Sequence, residues 1–122
     1  PRRSVALSIS VYTTGHQGLV ALRESRGLAV SPTDEEILEA QRILALDGIF
    51  AETASAASAA AAIKLGRRKE IDPASTLVCV ITASGLKMPD DARRSLPDIP
   101  VVPPDFEEYK KALEKVYRIH LD

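Results

Sequence analysis

Residues 77–81 read Leu-Val-Cys-Val-Ile with no polar interruption, and the run stops abruptly at Thr82-Ala-Ser-Gly85. An apolar run of this length, with β-branched residues and no alternation, predicts a strand buried on both faces. Few folds accommodate such a strand. The commonest is an α/β sheet with helices on either side, and there ligands sit just past the carboxyl ends of the strands. The small hydroxyl residues and glycine after Ile81 fall at that position.

The segments upstream fit the same architecture. Thr14-Gly-His-Gln17 reads as a capping box opening a helix that carries Leu19 and Leu22 and stops at Gly27. Leu28-Ala-Val30 is a short strand candidate. Thr33-Asp-Glu-Glu36 is a second capping box, with carboxylates at the positive end of the helix dipole. Its helix turns Ile37, Ala40 and Leu44 to one side and ends at Gly48. Ile49-Phe-Ala51 is the next short strand. Residues 53–63 hold seven alanines in eleven positions, a helix with no strongly polar face and therefore a buried one. Strand, helix, strand, helix, strand from about residue 28 to 82 predicts a mostly parallel sheet with right-handed crossovers, a three-layer αβα piece. Ser4–Val11 is open between loop and strand. Residues 88–104 carry five of the eight prolines and are expected to be an irregular connection, followed by an amphipathic helix over 105–120 capped by Asp105. The 122 residues are read as one α/β domain.

Composition excludes some functions. Lys and Arg total 16 against 17 Asp and Glu, a balance that argues against binding nucleic acid or an anionic membrane. The clusters Arg67-Arg-Lys69, Arg93-Arg94 and Lys110-Lys111 are short and mixed with acids, so solvated faces compete with phosphate contacts as their explanation. The lone Cys79 lies inside the apolar run and fits a reducing, cytoplasmic setting. No stretch reaches membrane-helix length. His16 and His120 have no neighbours at metal-ligand spacing, so no metal site is expected. The chain opens on Pro1-Arg2-Arg3 rather than methionine, which suggests a piece of something longer.

The candidate site residues are Thr82, Ala83, Ser84, Gly85 and Glu52. A threonine hydroxyl at a strand's end can bond a ligand ring nitrogen without bringing a charge, or simply satisfy local backbone. Gly85 lets backbone approach a planar ligand closely. Glu52 ends the preceding strand and points to the same sheet edge, or else serves the dipole of the helix after it. Thr53 and Ser55 at that helix's start are either N-caps or anion-binding groups.

Four blocks carry a family resemblance: Ala21-Leu-Arg-Glu-Ser25, Ser31-Pro-Thr-Asp-Glu-Glu-Ile37, Gly48-Ile-Phe-Ala-Glu-Thr-Ala-Ser-Ala-Ala57 and Val78-Cys-Val-Ile-Thr-Ala-Ser-Gly-Leu-Lys87. In order and spacing they resemble the threonine synthases, in the tryptophan-synthase-β-like (fold type II) class of pyridoxal-phosphate enzymes. Thr53, Ala83 and Met88 replace the usual proline, glycine and aspartate. The resemblance implies that Thr82 is a neutral partner of the cofactor's pyridine nitrogen, with Glu52, Ala83, Ser84 and Gly85 lining the pocket. It implies a parent enzyme that turns O-phosphohomoserine and water into threonine and phosphate. None of Lys64, Lys69, Lys87, Lys110, Lys111 or Lys115 sits in the context of the Schiff-base lysine, and the phosphate loop is missing. The chain is therefore expected to be a carboxyl-terminal fragment of the larger cofactor domain. It would have no catalytic residue of its own, be inactive alone and bind no cofactor alone. Its partners would be the rest of the parent, an amino-acid substrate, and further copies through oligomerisation or strand exchange. A related threonine dehydratase or sulfhydrylase-type lyase, and a stand-alone α/β binding module, are the competing readings.

Overall fold

The computed structural model describes residues 4–11, 13–93, 98 and 100–121. Pro1-Arg2-Arg3, Arg94 and parts of the proline-rich connection lie outside the described residues. Among the described residues five α-helices follow one another: α1 (His16–Glu24), α2 (Asp34–Leu46), α3 (Thr53–Arg67), α4 (Pro89–Arg93) and α5 (Phe106–Tyr117). Short 3-10 turns occupy Leu7–Ile9 and Gly85–Lys87.

The centre is the pair α2–α3, with the Leu7–Ile9 turn laid against α3. Its core is built mainly of alanines: Ala40, Ala56 and Ala60 with Ile37 from the facing helices, joined by Ala6, Ala51, Ala57 and Ala59. Small side chains bring the two backbones close, so dispersion contacts substitute for bulk. Polar links fix the register. Lys64 Nζ donates to Glu36 Oε2 at 2.8 Å and to the Ser31 carbonyl at 2.9 Å, and Arg67 grips both carboxylate oxygens of Glu39 at 2.8 and 3.2 Å. The buried Gln41 amide donates to the Ala51 carbonyl at 2.7 Å. Asp34 accepts from Ser4 Oγ and Val5 N–H, which ties the first described residues to the start of α2.

The helix ends test the local rules. The Thr33 capping box is complete, with Glu36 N–H on Thr33 Oγ1 at 3.2 Å and Glu36 Oε2 on Thr33 N–H at 2.7 Å. Gly48 closes α2 in the left-handed region at φ 81°. The start of α1 differs from expectation: Gly15 is its N-cap and no side chain caps it. At its end Arg26, not Gly27, takes the left-handed conformation, as Lys69 does after α3. Of the basic clusters, Arg67, Arg68 and Lys111 each face a carboxylate, those of Glu39, Glu70 and Glu108.

The predicted three-layer αβα arrangement with a mostly parallel sheet is not what the described residues form. No strand is present among them, and the one β-bridge, Ala51 with Ser84, is antiparallel. The reason is visible bond by bond. Ile49 N–H bonds the Leu44 carbonyl at 2.8 Å in the closing turn of α2, and the Ala51 carbonyl is taken by Gln41. Backbone groups that a ladder would have used between residues 49 and 51 are thus already engaged by α2. Residues 77–82 form neither helix nor strand; exposure alternates from Val78 to Thr82 as in an extended chain, and only one face is covered. Cys79 and Ile81 turn onto the core, whereas Val78 is 87% and Val80 67% exposed. The unbroken apolar run signalled two buried faces; the fold described here covers one.

Candidate functional site

The end of the extended segment meets the start of α3, and two backbone bonds fasten the junction. Glu52 N–H donates to the Ala83 carbonyl at 3.0 Å, and Gly85 N–H to the Phe50 carbonyl at 2.8 Å. These bonds bring all five candidate residues, Glu52, Thr82, Ala83, Ser84 and Gly85, into one loop–helix corner.

Ser55, 3% exposed in the first turns of α3, organises that corner. Its Oγ accepts from Thr82 N–H at 3.1 Å and Ala83 N–H at 3.0 Å, and lies 2.9 Å from Thr82 Oγ1. A hydroxyl oxygen has two lone pairs and one hydrogen. Two amide donors occupy both lone pairs of Ser55, so its hydrogen goes to Thr82 Oγ1. Thr82 itself is exposed, and its own hydrogen is left to donate away from the core.

Glu52 is 3% exposed yet only loosely held: Ser8 Oγ and Lys87 Nζ each stand 3.4 Å from one of its oxygens. It is the N-cap residue of α3 by backbone position, but its side chain makes no capping bond. Thr53 and Ser55 do not cap either. Thr53 Oγ1 donates to the Val5 carbonyl at 2.8 Å, while Ser55 is spent on residues 82 and 83. Ser84 caps the Gly85–Lys87 turn through Leu86 N–H. Gly85 is buried under Phe50, and a Cβ there would lie 2.5–2.7 Å from three ring atoms. Close approach does require this glycine, and the group it admits is a side chain of the same chain.

The part played by Ser55 escaped the sequence reading, which weighed it only as a cap or anion group. A usable signal existed. Ser55 and Ser58 are three apart on an otherwise alanine-rich helix, hence on one face, and buried hydroxyls must find partners. Ser58 Oγ donates to the Ser55 carbonyl at 2.9 Å, with the Val80 carbonyl further off at 3.5 Å.

An exposed hydroxyl at this corner can offer a hydrogen bond to an acceptor on a ligand that reaches it. Comparison with known proteins gives the class. Residues 1–83 match the model of the family described as pyridoxal-phosphate dependent enzyme, and the chain belongs to that family. Among its curated relatives are threonine synthases. That of Mycobacterium leprae is 38% identical over 103 residues, which make up 84% of this chain and 29% of the relative. The Methanocaldococcus jannaschii enzyme is 38% identical over 93% of this chain and 28% of its own length. That of Halalkalibacterium halodurans is 45% identical over 72% and 25%. The chain thus spans less than a third of these relatives.

The residues present fit one end of pyridoxal phosphate. A neutral pyridine nitrogen offers a lone pair and asks for a donor, which the Thr82 hydroxyl can supply. Among the described residues no glycine-rich loop answers the phosphate end. The described residues also contain no group of three or more His, Cys, Asp or Glu able to hold a metal, and no helix long and apolar enough to cross a membrane.

Proposed function

We propose that this chain forms the ring-nitrogen wall of the cofactor pocket in a threonine synthase, an enzyme that converts O-phosphohomoserine and water to threonine and phosphate. Pyridoxal phosphate, when bound, supplies the electron sink that stabilises negative charge on the amino-acid substrate. The chain's own contribution is to hold that ring. Thr82 donates to the pyridine nitrogen, Ala83, Ser84 and Gly85 border it, and Glu52 closes the corner beside Lys87. An uncharged partner lets the nitrogen stay unprotonated, which moderates the sink. The observation that carries this reading is the exposed Thr82 hydroxyl with Ser55 Oγ 2.9 Å behind it, an oxygen that already accepts two amides and so is left to donate.

The remaining groups are supplied by a larger parent in this reading, and the 122 residues alone are inactive. In support, the amines of Lys64, Lys87 and Lys111 each face a carboxylate. The bare Val78–Val80 face is where the parent, or a second copy, would cover the extended segment. Light scattering on the isolated chain is expected to show self-association that rises with concentration; a monomer throughout would count against it. The cytoplasm is the setting this amino-acid chemistry suggests.

The test of the site is Thr82→Val in the full-length holoenzyme. Loss of one neutral hydrogen bond is expected to weaken cofactor binding roughly two- to tenfold and to lower turnover with O-phosphohomoserine. Unchanged cofactor affinity, absorbance and turnover would remove Thr82 from the pocket.

A further inference from the structure

We propose that Ser55 is a positioning residue that sets the direction of the Thr82 hydroxyl hydrogen, and through it the hydrogen bond offered to the cofactor's ring nitrogen. The inference rests on the reading of Thr82 given above, and deepens it.

A threonine hydroxyl at the rim of a pocket ordinarily rotates among its partners, and it can either donate or accept. At Thr82 that freedom is reduced. Ser55 Oγ receives Thr82 N–H and Ala83 N–H at 3.1 and 3.0 Å, which leaves its hydrogen directed to Thr82 Oγ1 at 2.9 Å. One lone pair of Thr82 is filled from the protein side. Among the described residues its hydrogen meets no acceptor other than what lies outside the corner. The same two amide bonds clamp the backbone of residues 82 and 83, so direction and position are set by one atom. Ser55 is itself immobilised, being 3% exposed in α3 between the fully buried Ala56 and the Glu52 junction. Ala51 and Glu52 are in turn tied to Ser84 and Ala83. A side chain behind the pocket, out of reach of any ligand that touches Thr82, thereby favours a donor over an acceptor at the ring nitrogen.

The experiment is a double-mutant cycle in the holoenzyme reconstituted with pyridoxal phosphate labelled with 15N in the ring. Its readouts are the ring-nitrogen chemical shift and the cofactor dissociation constant. Thr82→Val tests the underlying reading by itself: if it leaves both readouts unchanged, that reading fails whatever Ser55 does. Given a response to Thr82→Val, Ser55→Ala is expected to move the shift in the same direction and weaken cofactor binding roughly two- to tenfold. In the Thr82→Val background the same change is expected to leave the shift where Thr82→Val alone put it, because an effect on the shift that acts through Thr82 is lost with that hydroxyl; any remaining loss of binding there reports the two amide bonds to residues 82 and 83. Ser55→Thr, which keeps the hydroxyl, is expected to restore the shift. If Ser55→Ala does not fold, Ser55→Cys keeps the volume with a weaker donor and acceptor, and should give a smaller change of the same sign. A Ser55 effect on the shift that is equal in both backgrounds, or no effect on the shift with Thr82 intact, overturns the proposal.

Discussion

The extended segment 77–82 is more apolar than the α2–α3 pair, yet the pair is closed and the segment is half bare. Each helix satisfies its own backbone, so the pair needs only one matched face apiece. Alanine on both sides, with Glu36–Lys64 and Glu39–Arg67 across the seam, supplies it. An extended segment has no internal hydrogen bonds and two faces to cover. Here α3 covers Cys79 and Ile81, and nothing among the described residues covers Val78 or Val80. Helical structure is self-sufficient at short range, whereas sheet structure is borrowed from neighbours. A hydrogen-bonded corner has nonetheless formed where the two regions meet, because Ser55 links them through its single side-chain oxygen.

If the helix pair is the closed half, enlarging one of its alanines should cost most. Ala56 has no exposed surface, and Ala56→Leu is expected to lower stability by about 1–3 kcal/mol in chemical denaturation. A variant as stable as the parent chain would mean the seam has slack. At the junction, Gly85→Ala places a methyl against the Phe50 ring, 2.5–2.7 Å away. Phe50 is 37% exposed and can turn outward, so the expected loss is about 1 kcal/mol, at the low end for overpacking. The accompanying sign is a change in near-ultraviolet circular dichroism or in the Phe50 ring resonances. A smaller effect of opposite sign is expected after α3, where Lys69 sits at φ 57°. Lys69→Gly removes that strain and should raise the melting temperature by an amount worth up to about 1 kcal/mol. A lower melting temperature would show that Lys69 contributes more than it costs.

The smallest effect concerns the ion pairs. The Lys64 amine, and secondly the Thr33 N–H, hold the Glu36 carboxyl below its ordinary value of 4.5, and the Arg67 guanidinium does the same for Glu39. A carboxyl whose pKa is depressed in the folded state stabilises the fold above its unfolded pKa. That contribution is lost as pH falls through the folded value. Lys64→Met should therefore lower the melting temperature slightly near neutral pH, with the gap closing as pH falls through the depressed Glu36 value. Both pairs are solvent-accessible, so added salt should shrink the difference as well. A gap that is independent of pH would assign the Lys64 effect to packing of its methylene stem.

Much of the helical part was legible because its signals are local. Thr33 and Glu36 are three residues apart and need only each other, and Gly48 answers a backbone angle at its own position. The alanine density of 53–63 announced a buried helix for the same reason. The strands were not legible in this way. Ile49 and Ala51 looked like strand residues by type, but their backbone groups were claimed by α2's closing turn and by Gln41, ten positions upstream of its acceptor. Even the capping residue of α1 moved by one, from Thr14 to Gly15. Left-handed Arg26 and Lys69 had no sequence signature, since glycine is the residue that ordinarily marks such positions.

By itself the sequence determined where α2 begins and ends and where α3 begins, that Thr82 through Gly85 follow an apolar run, and the family to which those blocks belong. These follow from neighbouring residues, whose interactions do not depend on how the chain is arranged in space. Only the tertiary structure decided that the run has one covered face, that Ala51 pairs antiparallel with Ser84, and that Gly85 makes room for Phe50. It also decided that Thr82 meets Ser55, 27 positions away in the chain, oxygen to oxygen at 2.9 Å. A hydrogen-bond direction is set by which lone pairs are already filled, and only the folded chain fills them.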